Sequence, residues 1–550
     1  MAFLVAVVPG IVRWTGRDAA QRVQTDAPTV ERAADVTDQA DPEPTSSAPG
    51  TDGDGAGSDD FGGLWPADDG LLFGEVAASV GVISDPSVDA TGDGATDTTA
   101  GTTADTGATG TTDPTGDGAA DGSPAAGQEG DRDDDGTSPT TVVGGPATTS
   151  EGADDPSTTE PVTTIDPDAE VPEVLYVDGG TGMSGNPGTE AEPLRRPIEA
   201  LGIAGPGTTI FIRGGTYDTA EYSGFSIRRS GTADAWIRIT NYPGERVVLT
   251  AGGEYDSGFE VIGASYVEVS GLVLQGRDDS IHGSGIFVKD GSHDVRIIGN
   301  QISNFGGAGI SVIGSSRVHI EGNDVRNNAM RSFYQGSGIS LYRMSGPTNS
   351  GHTNIIRGNY VVNNRNEVNH HLAGRITDGN CIILDRNNES NYTGWTLIEN
   401  NVCAENGGRG IHSYRASYIE ARNNTLYHNL QTDSILHGRG EMTVGAARDV
   451  YFYNNLVINR PGIAAYVDNR NTNVRFVNNL VAAGPPPGTG NQLLDTEAIF
   501  AATVRGGPVD QFRPVESAGL GATADPGNQA ASDLSGRTRP ETGAVGAFEP

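Results

Sequence analysis

The sequence predicts an all-β fold: a single-stranded right-handed parallel β-helix over residues 173–550, preceded by a long disordered acidic linker. Three observations predict it. A Gly-Asn or Asn-Asn pair recurs seven times with a shortest spacing of 23 residues, short runs of alternating apolar and polar residues lie between the pairs, and residues 26–172 carry almost no aromatic or β-branched runs. Period-two alternation marks half-buried strands, and a 23-residue unit is too short for two parallel strands joined by a helix, so strands wound as a solenoid remain.

Met1–Val12 is a mostly apolar run, shorter than the ~20 residues a spanning helix needs, and Arg13 and Arg17 follow it. Residues 1–25 therefore read as a truncated membrane anchor or signal remnant, and N-terminal membrane attachment is an expectation. Residues 26–172 are rich in Asp, Gly, Thr, Ala, Pro and Ser and bury too little apolar surface to offset chain entropy. Of the 72 acidic residues, 34 fall in residues 1–172 against 5 arginines, whereas the remainder is nearly balanced. An apolar island, Phe61–Ile83 with Trp65, interrupts the linker. No basic stripe is present, which excludes nucleic acid as a partner. The linker and the domain behind it point to an extracellular or cell-surface protein, expected to be a monomer.

The repeat runs through Asn300, Asn323, Asn359, Asn401, Asn424, Asn455 and Asn479, spaced 23, 36, 42, 23, 31 and 24 residues apart. The short value is one coil; the long ones are coils with inserted loops. These Asn side chains are expected to form a structural ladder, amide bonded to amide from coil to coil. Ile286, Ile310, Ile339, Ile382 and Ile411 should stack inside, with Val288, Val312, Leu341 and Leu384 as the next column. Two cysteines give no disulfide framework. Cys403 shares the core register of Val325, Val361 and Leu426, whereas Cys381 opens a strand taken to lie one coil away, so no bond between them is expected.

Alternation also assigns the outward columns. One reads Phe287, Ser311, Ser340, Ile383, His412; the next reads Lys289, Ile313, Tyr342, Asp385, Tyr414; just past the strand come Asp290, Gly314, Arg343, Arg386, Arg415. With coils ~4.8 Å apart, Asp385, His412 and Tyr414 should share one substrate's reach, flanked by Arg343, Arg386 and Arg415 and by Tyr342. The turn leading in holds Asp378, Asn380 and Arg409, and the inserted loop of the 42-residue coil holds His370, His371 and Arg375. Long insertions over a rigid scaffold are where function collects. Each residue has a plainer reading: His412 as an exposed strand residue, Asp378-Gly-Asn as a turn, Asp385 with Arg386 and Arg415 as a surface ion pair, Lys289 as an isolated side chain.

The order Leu175-Tyr-Val-Asp-Gly-Gly-Thr-Gly, Pro206-Gly-Thr-Thr-Ile-Phe-Ile-Arg-Gly-Gly-Thr-Tyr217 and Ile237-Arg-Ile-Thr-Asn-Tyr-Pro-Gly-Glu245 resembles the N-terminal cap and first coils of the pectate lyase-like β-helix superfamily. The likeness is nearest to family 9 pectate lyases, family 6 alginate lyases and chondroitinase B. The stretches Ile376–Asp385 and Gly407–Arg415 look like a motif pair of secreted bacterial β-helix proteins. The resemblance implies a polysaccharide lyase or C5 epimerase acting on uronate-containing glycan. In that chemistry an anionic sugar is neutralised, its C5 proton removed and the leaving oxygen protonated. On the residues here, Arg415 or Arg386 would neutralise, His412 would be the base and Tyr414 the acid. Arg343, Tyr342, Arg409, Asn380, His371 and Arg375 would bind substrate. Asp378 and Asp385 would alternatively hold Ca²⁺, the one cofactor expected, or serve as the carboxylate pair of a glycoside hydrolase. A non-catalytic glycan-binding rod is the third reading. The catalytic lysine of family 9 is not carried onto Lys289, which lies two to three coils before the polar cluster.

Overall fold

The computed structural model describes residues 171–550 apart from 221–224, 436–437, 495–498 and 522. The expected anchor at 1–25, the island at 61–83 and all but the last two residues of the linker lie outside the described residues. The coils supply three parallel sheets of eleven, eleven and nine strands. The first runs from Val174–Val177 to Thr472–Val477, the second from Gly215–Asp218 to Gln492–Leu493, and the third from Ser226–Ile227 to Ala464–Asn469. The predicted register holds in the third sheet, where Ile286, Ile310, Ile339, Ile382 and Ile411 pair in succession and all are buried. Each fully buried Ile contributes roughly 1.5–3 kcal/mol, and stacking makes every coil the floor of the next.

The corner between the first and second sheets explains the Gly-Asn and Asn-Asn pairs. Its first residue is left-handed, from Gly299 (φ 65°) and Gly322 (φ 66°) to Asn454 (φ 55°) and Asn478 (φ 57°), a conformation Gly and Asn adopt most readily. The second residue faces inward. The Asn300 backbone N–H and Nδ2 both donate to Asn323 Oδ1, at 2.9 and 3.1 Å, and Nδ2 also donates to the Val269 carbonyl. The pattern repeats through Asn359, Asn401, Asn424, Asn455 and Asn479 and ends on Asn491. A second ladder that the sequence analysis missed, Asn328, Asn364, Asn406 and Asn429, lines the corner between the second and third sheets. It ends on the buried Glu441, which accepts from Asn429 N and Nδ2, both at 2.8 Å.

The expectation for the cysteines is corrected: Cys381 and Cys403 form a disulfide, Cα–Cα 5.6 Å. The residue opening each strand of the third sheet points inward, across the corner, at a second-sheet residue of its own coil. A Cβ on Gly309 would come within 2.3 Å of Val325, and one on Gly338 within 2.3 Å of Val361. From Gly285 to Gly410 the column is therefore glycine, except where Cys381 meets Cys403 and the clash becomes a bond; Glu441 takes the position after Gly410.

After Leu493 the chain folds back over the outer face of the second sheet. Phe500, Phe512, Val545 and Phe548 pack on Tyr360, Val402 and Leu456. Buried Arg539 pairs with Glu549 and donates to Asn400 Oδ1 at 3.1 Å. The disulfide closes a 22-residue separation, for which chain entropy predicts about 3 kcal/mol of stabilisation. Thermal unfolding with and without reductant should differ accordingly, and Cys381→Gly combined with Cys403→Val, which rewrites the coil like its neighbours, should recover part of the loss. A melting temperature indifferent to reductant would contradict this.

Candidate active cleft on the third sheet

The outer face of the third sheet forms the floor of a cleft of about 170 Å³. Phe287, Ser311, Ser340 and Ile383 stack along it in the predicted outward register, and Tyr342 and Asp385, each the last residue of its strand, pair with each other. The loops entering the strands make one rim, with Tyr255, His282, Tyr334, Gln335 and Asp378. Beyond the other end of the strands, left-handed corners carry Arg343 (φ 45°), Arg386 (φ 55°) and Arg415 (φ 49°).

Asp385 is a strongly perturbed acid in the cleft. Its Oδ1 is buried without a hydrogen-bond partner among the described residues, 4.0 Å from Arg386 Nε. Burial, reinforced by the Asp378 carboxylate and opposed by Arg386, pushes it up to about 8, so the carboxyl keeps its proton at neutral pH. Asp378 is also raised by burial, against the pull of Arg409 and of hydrogen bonds from Thr377 Oγ1 and Asn380 Nδ2, each 3.0 Å. The turn that presents Asp378 is held from three sides. Gln335 Oε1 accepts from the backbone N–H of Thr377 and of Asp378, at 2.6 and 3.1 Å; Asn380 Oδ1 accepts from Arg409 N at 2.9 Å; and Arg409 Nη1 donates to the Thr377 carbonyl at 2.8 Å. Arg409 and Asn380, expected to contact substrate, are buried in this support.

The three edge arginines converge on one carboxylate. Glu389, in the 3-10 turn Asn387–Ser390, accepts from Arg343 Nη2 at 2.7 Å, Arg415 Nη1 at 3.0 Å and Arg386 Nη1 at 3.4 Å. Burial opposes ionisation of Glu389, and the bonds from Arg343 and Arg415 outweigh it, holding it below its ordinary range. The expectation of three cations waiting for substrate is thus corrected to a cluster of three positive charges on one negative. The column alignment stopped one residue past the strand and did not reach the turn that supplies Glu389.

His412 pairs in register with Ile383 and Tyr414 with Asp385, one strand further on, and neither lines the cleft. His412 is buried, and neither ring nitrogen has a hydrogen-bond partner among the described residues. Burial and then Arg409 keep its pKa well below 6.5, so it is a neutral imidazole rather than an exposed base. His371 packs its ring against Tyr334 at 4.9 Å and His370 at 4.8 Å, and the carbonyl of Arg375 accepts from His370 N at 3.0 Å. Lys289, set aside in the sequence, does line the cleft, 3.3 Å from Glu260 Oε1 and 4.6 Å from the Phe287 ring. Glu260 stands on strand Phe259–Ile262 in register with Phe287, one coil before the columns begin, and His282 and Gln335 escape strand alternation because it does not register how far entering loops reach.

Calcium takes six to eight oxygen ligands. Asp378 and Asp385 offer two carboxylates, one already engaged by Thr377 and Asn380, and among the described residues no three acidic, His or Cys side chains are grouped to hold a metal ion. The pair alone does not fit calcium, and no chemical step here uses one.

Residues 175–349 match the family model described as Pel9A-like, right handed beta helix region. The uncharacterized protein YwoF of Bacillus subtilis (strain 168) is 32% identical over 138 residues, 24% of this chain and 28% of YwoF, so the match spans under a third of that relative. Among solved structures, pectate lyase Pel9A aligns over 69% of this chain and 97% of its own at 17% identity, TM-score 0.46. A rhamnogalacturonan lyase aligns over 60% and 90% at 14% identity, TM-score 0.39. An alginate lyase from Paenibacillus sp. str. FPU-7 aligns over 58% and 97% at 18% identity, TM-score 0.32. With its three parallel sheets, the described chain is a right-handed parallel β-helix, and its first coils, residues 175–349, are similar to the Pel9A-like β-helix region.

Proposed function

We propose that the protein is an exported polysaccharide lyase that cleaves uronate-containing glycan by β-elimination in the cleft of the third sheet. The observation that carries this is Asp385, a carboxyl that keeps its proton up to about pH 8, set beside three arginines that share one Glu389. The cluster retains two positive charges for a uronate carboxylate, and neutralising that group acidifies the C5 proton. Asp378, held by Thr377 and Asn380, takes the proton. The electron pair forms the C4–C5 double bond, the C4–O bond breaks, and the leaving oxygen receives the proton of Asp385. Returning a proton to the opposite face of C5 instead would give epimerisation. His412 and Tyr414, one strand beyond, take no proton from substrate in this reading.

Export is supported by the disulfide, since such bonds persist in oxidising compartments. A second reading, glycoside hydrolysis, is favoured by one observation: Asp378 and Asp385 line the same cleft, with one carboxyl protonated as a general acid must be.

The test is the full chain supplied with a panel of polyuronates, in calcium or in chelator. Unsaturated product absorbing in the ultraviolet is expected, with Asp385→Asn slowing its release by roughly 10²–10⁴-fold. Reducing ends without unsaturation would replace elimination by hydrolysis, and no product from any glycan would leave a binding module. Because the protonated form of Asp385 is the active one, activity should fall as pH rises through about 8. Stability carries the same sign. Between the unfolded pKa near 3.8 and about 8 the folded state binds the extra proton, so stability declines with rising pH across that window. Asp385→Asn should therefore melt higher than the parent at pH 8 and show a shallower pH dependence of melting temperature.

A further inference from the structure

A second groove, of about 530 Å³, lies at the corner between the third and first sheets and shares no lining residue with the cleft that holds Asp385. It runs along the segments that lead into four neighbouring strands of the first sheet, Trp395–Glu399, Ile419–Arg422, Arg448–Tyr453 and Thr472–Val477. Its size is that of a ligand site, typically ~300–1,000 Å³. Tyr418 in its wall opens onto a platform of rings: Tyr418 and Trp395 are 5.7 Å apart between centroids, and Trp395 and Tyr451 5.4 Å. All three rings are only partly buried. Arg448 lies over Tyr418 at 5.3 Å, its Nη2 donating to the Tyr418 hydroxyl at 2.6 Å, and Arg475 lies over Tyr451 at 4.9 Å.

The charge on this groove differs from that beside the cleft. Arg343, Arg386 and Arg415 share Glu389, whereas Arg448 and Arg470, both exposed, have no carboxylate partner among the described residues. Asp449, next to Arg448 in sequence, instead accepts from Asn473 Nδ2 at 2.6 Å and from the Tyr451 hydroxyl at 3.3 Å, and Asp468 accepts from Asn471. Arg470 stands just past its strand in a left-handed corner, φ 59°, a position that Gly263 and Gly314 take in earlier coils. Glycine adopts that conformation without strain and arginine does not, and no hydrogen bond or ion pair of Arg470 within the described residues offsets the difference. Asn391 and Thr472 add an exposed amide and hydroxyl to the rim. Rings that attract the C–H face of a sugar, amides for its hydroxyls and two uncommitted guanidiniums for a carboxylate together describe an acidic oligosaccharide. A bare inorganic anion would leave the ring platform without a role.

We infer that this corner groove is a second glycan site, which holds a uronate-bearing oligosaccharide outside the cleft and tethers the protein to its polymer without placing a bond near Asp385. The inference rests on the proposed function only for the choice of uronate, and its test reads binding alone. Full-length Asp385→Asn protein is titrated calorimetrically with tetragalacturonate, with an alginate tetrasaccharide and with neutral cellotetraose. Two molecules of an acidic tetrasaccharide are expected per chain, one in the cleft and one at the corner. Arg448→Ala combined with Arg470→Ala should weaken the corner site by roughly tenfold or more, and Tyr418→Ala by roughly threefold to tenfold, while Tyr418→Phe, which keeps the ring, should retain most of the affinity. Circular dichroism checks the fold of each variant. Stoichiometry and affinity unchanged in the double arginine variant would overturn the corner site and leave the lyase reading standing. A single bound molecule that disappears in that variant would support the corner site and remove substrate from the cleft. Cellotetraose bound as tightly at the corner would overturn the acidic class of ligand, and no binding of any tetrasaccharide would overturn both readings.

Discussion

The corner between the sheets is the constraint on which the rest of the structure depends. A parallel β-helix must turn sharply at each sheet boundary without leaving backbone groups unpaired in the interior. Here a left-handed residue makes the turn, and a buried Asn carries the polar connection to the next coil. Once the corner is fixed, coil-to-coil register follows, and with it the stacking of Ile286 through Ile411 and the alignment of everything on the outer face. Long insertions such as the one before Ile382 are accommodated because the coil resumes the same register afterwards.

The outer faces of two of the sheets have been used differently. The tail after Leu493 covers the second sheet with aromatic packing, whereas the third carries polar and titratable side chains along an open cleft. That placement sets the chemistry. Asp385 sits where burial and a neighbouring carboxylate oppose its ionisation, and the nearby arginines, already committed to Glu389, do not reverse this. A protein selected only for stability would put an amide or an apolar residue at this position. Holding an acid there is a stability cost, and the proposed proton-transfer role would account for it.

Much of the fold was legible in the sequence because it is written in repeats. The Gly-Asn and Asn-Asn marks, the Ile column and the outward columns Phe287–His412 and Tyr342–Asp385–Tyr414 follow from period and alternation alone. The second ladder was written as plainly, in Asn327-Asn328, Asn363-Asn364 and His428-Asn429, each led by a left-handed residue, but only one mark per coil was sought. The candidate site was read less well. Alternation places Asp385 but not Glu389, which arrives on a turn, nor Gln335, which reaches the Asp378 turn from another coil. The cysteines were misjudged because the direction of a strand-opening Cβ depends on the corner, which alternation along the strand does not describe.

The second Asn ladder has an electrical consequence. In every rung from Asn328 to Asn429 the amide donates toward the C-terminal end, Asn328 to Asn364, Asn364 to Asn406 and Asn406 to Asn429. The side-chain dipoles therefore add head to tail, and the final rung turns its positive end, the Nδ2 and backbone N–H of Asn429, onto Glu441. This is the arrangement by which a helix N-terminus holds an anion, built from side chains instead of peptide groups. Burial nonetheless lifts Glu441 to about 7, so the charge that terminates this column of dipoles changes across the neutral range.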